Sequence, residues 1–172
     1  MYSQKDSISL QREARKLVRE GNKLYNQKKY ADATISYKKA LEKNSSYTKA
    51  TYNLGNSLFQ EKNFKEAIPQ YKILTENSED SYEKAEGYHN IGNAMMEEKN
   101  YQGAVDAYKN SLRKNPNDDE TRYNLAVAQK LLEKEKNKDK DKNKDKDKNK
   151  NKDKDKDKDK DKDKDKDKDK DK

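Results

Sequence analysis

The sequence predicts an all-α fold: a right-handed α-solenoid of three helix-turn-helix repeats with a C-terminal capping helix and a disordered tail. Two observations predict the solenoid and a third predicts the tail. Gly21, Gly55 and Gly92 each follow a helical apolar pattern (LVREGN, YNLGNS, HNIGNA), 34 and then 37 residues apart. Self-similarity at such a period marks stacked supersecondary units. Downstream of each glycine the blocks KKYADATISYKKAL, KNFKEAIPQYKILT and KNYQGAVDAYKNSL match column by column. The third observation is compositional. From Asn137 to Lys172 every even position is Lys and every odd one Asp or Asn, with no apolar residue at all.

Each column has a physical reason. An aromatic (Tyr30, Phe64, Tyr101) follows a short turn, an Ala comes three residues later (Ala33, Ala67, Ala104), and a Tyr four beyond that (Tyr37, Tyr71, Tyr108). Spacings of three and four draw one apolar stripe along a helix. The Gly and the Ala present no bulk, so two antiparallel helices can approach closely. Asn63 and Asn100, with Lys29 in the first block, stand between the helices, where a left-handed residue is expected to end the first one. Pro69 is expected near the start of a second helix, where its missing N–H costs little. Pro116 punctuates the end of the third block.

These residues resemble the tetratricopeptide repeat. Its usual length of about 34 residues implies blocks at 14–47, 48–81 and 85–118, preceded by a partly helical extension, 1–13. Residues Tyr82 to Lys84 are then three extra positions, expected to lengthen the first helix of the third block by about a turn. DDETRYNLAVAQKLLEK repeats the first-helix pattern, with Ala126 where Gly stood, and no second helix follows. It reads as a capping helix, 119–135, covering the apolar face that a last repeat leaves open.

The tail, 136–172, offers no reason to fold. Over 137–172 it holds 18 Lys against 14 Asp, giving half of the chain's net charge of +8. In a helix, residues four apart would carry like charge, and without apolar surface nothing offsets chain entropy. The alternation resembles a calcium loop only superficially, since no turn-making Gly accompanies the Asp. It also cancels most of the positive field that nucleic acid or an anionic membrane requires. A solubilising spacer is the expected role, with no nucleic acid as partner.

The inventory argues against catalysis. There is one His, His89, with no Cys and no Trp, and the five Gly are isolated. Neither a triad nor a two-His metal site can be assembled from it, and no metal or cofactor is expected. No run of about 18 apolar residues is present to span a membrane. What remains is a surface. The first helices of such repeats line a concave groove, and the side chains expected there are Asn22, Tyr52, Asn53, Asn56, Phe59, His89, Asn90, Asn93, Met96, Tyr123 and Asn124, with Tyr25 nearby. Amides can hydrogen-bond an extended peptide through both donor and acceptor. Aromatic rings and Met add adaptable apolar contact. Tyr25 and Tyr123 could equally pack between repeats. One use of this family is a clamp for the C-terminal carboxylates of chaperones. Only Asn22 and Asn53 match its pattern, because Val18, Glu86 and Asn90 stand where its basic residues belong, so an internal or non-acidic peptide is the expected ligand.

Finer likeness lies in REGNKLYNQKKYADATISYKKAL and YHNIGNAMMEEKNYQGAVDAYKNSLRKNPNDDETRYNLAVAQ. Together with the closing DDETRYNLA and the charged tail, they are similar to the BatC-like proteins of Bacteroides-type aerotolerance operons. That resemblance implies a periplasmic or envelope-associated scaffold working beside von Willebrand A-type membrane proteins, linked to oxidative stress and without catalysis. The opening YSQKDS then looks like the residues just after a removed signal peptide. The alternative expectation is a cytosolic (cytoplasmic) co-chaperone or peptide-binding adaptor. A monomer is expected in either case.

Overall fold

A computed structural model describes residues 4–138. Every regular element there is a helix. Six alternate as pairs: α1 (Gln4–Asn26), α2 (Tyr30–Lys43), α3 (Thr48–Gln60), α4 (Phe64–Asn77), α5 (Ser81–Glu97) and α6 (Tyr101–Lys114). A seventh, α7, begins at 119 and remains helical to 138. The first compact unit ends at Gln129 and holds α1–α6 with the opening turns of α7; the second runs from Lys130, and its described residues, 130–138, are helical. The expected disordered tail otherwise lies outside the described residues. Each of α1 to α6 packs on its sequence neighbours among them, and α1 also reaches α3, the pattern of a right-handed solenoid in which contacts are local.

The Gly–Tyr columns fix the packing within each pair. Tyr37, Tyr71 and Tyr108 are buried, and each ring lies across the glycine of the partner helix. A Cβ added to Gly55 would sit 2.7 Å from Tyr71 Cε1, and Gly21 and Gly92 are closed off in the same way by Tyr37 and Tyr108. Ala33, Ala67 and Ala104 are fully buried. Small residues therefore bring the helices together, and an aromatic ring fills the gap. The third pair is longer at its start. α5 has 17 residues against 13 in α3, and Asp80 caps it by accepting from the N–H groups of Tyr82 and Glu83. Gly87 lets the added turn lie against Thr75 of α4.

The turns within the pairs correct two expectations. The left-handed residues are Lys28, Lys62 and Lys99, each at φ 59°, one place before Lys29, Asn63 and Asn100. Lys62 N–H donates to Phe59 C=O (2.9 Å) and Asn63 N–H to Leu58 C=O (2.9 Å); Lys28/Lys29 and Lys99/Asn100 repeat the arrangement. This double closure is a Schellman motif, which places the left-handed residue at the first position past the cap. Lys29, Asn63 and Asn100, at φ between −84° and −89°, begin the next helix instead. Edge-to-face rings 5.2 Å apart (Tyr25–Tyr30, Phe59–Phe64) close the first two turns. Pro69 is the second correction. It lies inside α4, past the first turn, so its ring removes a bond that Lys65 C=O would have accepted. Both residues are exposed, which leaves that carbonyl to water.

Candidate functional site

The amides predicted to line a groove are held by the buried tyrosines. Tyr37 Oη donates to Asn22 Oδ1 (2.8 Å), Tyr71 Oη to Asn56 Oδ1 (2.9 Å) and Tyr108 Oη to Asn93 Oδ1 (2.7 Å). The same three asparagines follow the packing glycines, so the contact that seats the ring also orients the amide. Burial raises the affinity of all three hydroxyls for their protons. Tyr37 is pushed up to about 12 by burial and then by Tyr25. Tyr71 is driven well above the usual phenol range by burial and then Tyr52, and Tyr108 by burial and then Glu120.

A second row of amides joins the repeats. Asn53 Nδ2 donates to Asn22 Oδ1 (2.8 Å), and Asn124 Nδ2 to Asn93 Oδ1 (3.4 Å). The middle rung differs, because Asn90 Nδ2 donates to Tyr52 Oη (3.4 Å) rather than to Asn56. Asn22 and Asn93 thus each accept two bonds, while Asn56 accepts from Tyr71 alone among the described contacts.

Three clefts open on this face. Asn22, Tyr25, Asn26, Tyr37, Asn53 and Asn56 line one of about 280 Å³. Thr48, Lys49, Tyr52, Asn53, Leu74, Glu83 and Glu86 line another of about 280 Å³. Tyr52, Glu86, His89, Asn90, Asp118 and Glu120 line a third of about 180 Å³. Asn53 and Tyr52 are shared walls, so Asn22, Tyr52, Asn53, Asn56, His89 and Asn90 come together along α1, α3 and α5. Asn93 and Asn124 stand beyond the last cleft, bonded to each other. Phe59, Met96 and Tyr123 line none of the three: Phe59 packs at the α3–α4 turn, Met96 lies at the end of α5, and Tyr123 is exposed on α7.

Residues outside the predicted set complete the third cleft. Asp118 caps α7, accepting from Thr121 N–H (3.0 Å) and Thr121 Oγ1 (2.6 Å). Burial works against its carboxylate, but the two Thr121 bonds, His89 and the Glu120 N–H outweigh that and hold its carboxyl below the usual range. His89 Nδ1 meets Thr121 Oγ1 at 2.6 Å, and His89 Nε2 lies 3.7 Å from Glu120 Oε1. The His89 ring rests on Tyr108, centroids 5.9 Å apart. Aspartate before a Thr-containing helix start was a readable cap signal; the pairing of Thr121 with His89, 32 residues away, was not. Among the described residues no three metal-binding side chains cluster and no helix is long and apolar enough to cross a membrane.

Family models described as the tetratricopeptide repeat match residues 18–82 and 85–118. Many solved structures share the fold. The first tetratricopeptide domain of Spaghetti (RPAP3), bound to the HSP90 peptide SRMEEVD, is 24% identical, with a TM-score of 0.65 over 71% of this chain and 94% of that one. The Sgt2 domain from Aspergillus fumigatus is 21% identical (TM-score 0.65; 73% and 82% covered). The N-terminal domain of stress-induced protein-1 from C. elegans is 24% identical (TM-score 0.64; 70% and 97% covered). Comparison with curated protein sequences finds no matching relative.

Proposed function

Since this chain belongs to the tetratricopeptide-repeat family, its two matches together spanning more than half of it, we propose that it is a non-catalytic adaptor that binds a peptide segment along the face formed by α1, α3 and α5. The observation that carries this reading is the anchoring of Asn22, Asn56 and Asn93 by buried tyrosine hydroxyls. With each Oδ1 occupied from within, the amide N–H groups are what a ligand can use, and they are suited to peptide carbonyls. Anchored groups lose little freedom when a ligand arrives, which favours binding.

Of the two roles the sequence raised, the peptide-binding adaptor has the broader support, because a similar domain carries a bound HSP90 peptide. Assembly of an envelope complex with von Willebrand A-type partners has the resemblance to BatC-like proteins alone behind it. Where a carboxylate clamp needs cations, this chain has buried Val18 with Glu86 and Asn90, so the ligand is not an acidic C-terminus of that type.

Selection of a random peptide library on the full chain tests the reading. Selected peptides are expected to lose about tenfold or more in affinity with Asn53→Ala/Asn90→Ala, and nothing measurable with Lys72→Ala on the exposed side of α4. Equal binding by wild type and the double variant contradicts it.

A further inference from the structure

The third cleft holds two acceptors that face each other without a donor. Thr121 Oγ1 has one proton, and its 2.6 Å contact with Asp118 Oδ2 takes it, since a carboxylate can only accept. Toward His89 the hydroxyl oxygen is therefore an acceptor, and the 2.6 Å contact requires the ring to carry its proton on Nδ1. The neutral ring must then present the lone pair of Nε2, which lies 3.7 Å from Glu120 Oε1. An N–H donor placed between them would satisfy both. Glu86 and Asp118 line the same cleft, Tyr52 closes one side, and Lys49 is in the neighbouring cleft. At about 180 Å³ the space is below the roughly 300–1,000 Å³ of drug-sized ligand sites, and suits one long side chain.

We propose that this cleft is a recognition pocket for a Lys or Arg side chain of the bound peptide, read by His89 Nε2 and the Glu120 carboxylate. The proposal rests on the peptide-adaptor reading and names the ligand chemistry at one subsite. The incoming ammonium or guanidinium donates to Nε2 and Glu120 together, with Glu86 supplying further negative charge. Tyr52 and the His89 ring flank the alkyl stem. The groups facing His89 are Asp118, Glu120 and Thr121 from α7, Tyr108 from α6, Tyr52 from α3 and Glu86 with Asn90 from α5 itself. None of them is cationic, so the ligand's cation meets no competing positive charge there.

Two measurements on the full chain test this. Because His89 is the only histidine, its ¹⁵N ring signals are unambiguous. At pH 8 the Nδ1–H tautomer is expected, and a dominant Nε2–H tautomer overturns the relay. The second is peptide-library selection at pH 7.5. The pocket predicts enrichment of Lys or Arg at one position, and about tenfold or greater loss of binding with Glu120→Gln. It also predicts a similar loss with His89→Asn, which keeps a donor toward Thr121 but puts no acceptor in the place of Nε2. Glu120 is mostly exposed, so its variant reports on binding even where the His89 variant is poorly folded. Peptides selected without a basic residue, or unaffected by Glu120→Gln, overturn the pocket and leave the adaptor reading standing. Failure to select any peptide overturns both.

Discussion

Replacing Lys62 with glycine should stabilise the fold, although glycine is among the poorest helix residues. Lys62 sits at φ 59° as the left-handed residue of a Schellman motif. For an L-residue that conformation costs about 1–2 kcal/mol, and glycine adopts it freely. Glycine's extra freedom in the unfolded chain takes back about 0.4–1 kcal/mol, leaving a net gain of about 0.5–1 kcal/mol. Three residues on, Lys65 is exposed within α4, and the same substitution there should cost about 0.5–1 kcal/mol. Urea unfolding followed by circular dichroism should therefore move in opposite directions for Lys62→Gly and Lys65→Gly. Lys28 and Lys99 are equivalent and lie in separate repeats, so the three changes should add. About 2 kcal/mol in total corresponds to roughly 6–10 °C in Tm for a domain of this size. A lower midpoint for Lys62→Gly, or equal shifts for Lys62→Gly and Lys65→Gly, refutes the reasoning.

Other expectations follow from particular contacts. Tyr71→Phe should cost more than Tyr37→Phe, about 1–1.5 against 0.5 kcal/mol, because Asn56 Oδ1 loses its one described donor while Asn22 keeps Asn53; equal losses in urea unfolding contradict the ladder as drawn. Pro69→Ala should stabilise by about 1–3 kcal/mol, measured as a rise in Tm, by restoring the bond to Lys65 C=O. Alkali should unfold the protein steeply. The raised tyrosines keep their protons in the fold while the unfolded chain releases them near pH 10, so the stability they contribute is complete below about pH 10 and falls as pH rises. Tyr37, whose hydroxyl is pushed up to about 12, sets the window at about pH 10–12. With Tyr71 and Tyr108 the slope approaches 4 kcal/mol per pH unit, and spectrophotometric titration should find three of the 12 tyrosines ionising only with unfolding.

The helical pairs were legible because their packing is written in residue size: a Gly, an Ala and a Tyr at matching places leave few other ways to fill the gap. The dual role of the asparagines was harder to read. Asn suits neither a helix interior nor an apolar stripe, which pointed to a ligand and concealed an internal partner. A signal was present, since Asn22/Tyr37, Asn56/Tyr71 and Asn93/Tyr108 are all 15 apart, unchanged where the repeat spacing lengthens from 34 to 37. The left-handed lysines carried no such mark, because lysine has no preference for that conformation and only the hydrogen-bonded closure of the turn imposes it. The Asp118–Thr121–His89 relay depends on how α7 crosses α5, a distance that local patterning does not encode.

Amide chemical-shift mapping of the full chain, titrated with a peptide selected on it, tests the peptide-adaptor account most directly. Shifts should concentrate on α1, α3, α5 and the start of α7, around Asn22, Asn53, Asn90 and Glu120. Shifts centred instead on the exposed sides of α2 and α4, around Ile35 and Ile73, would contradict it.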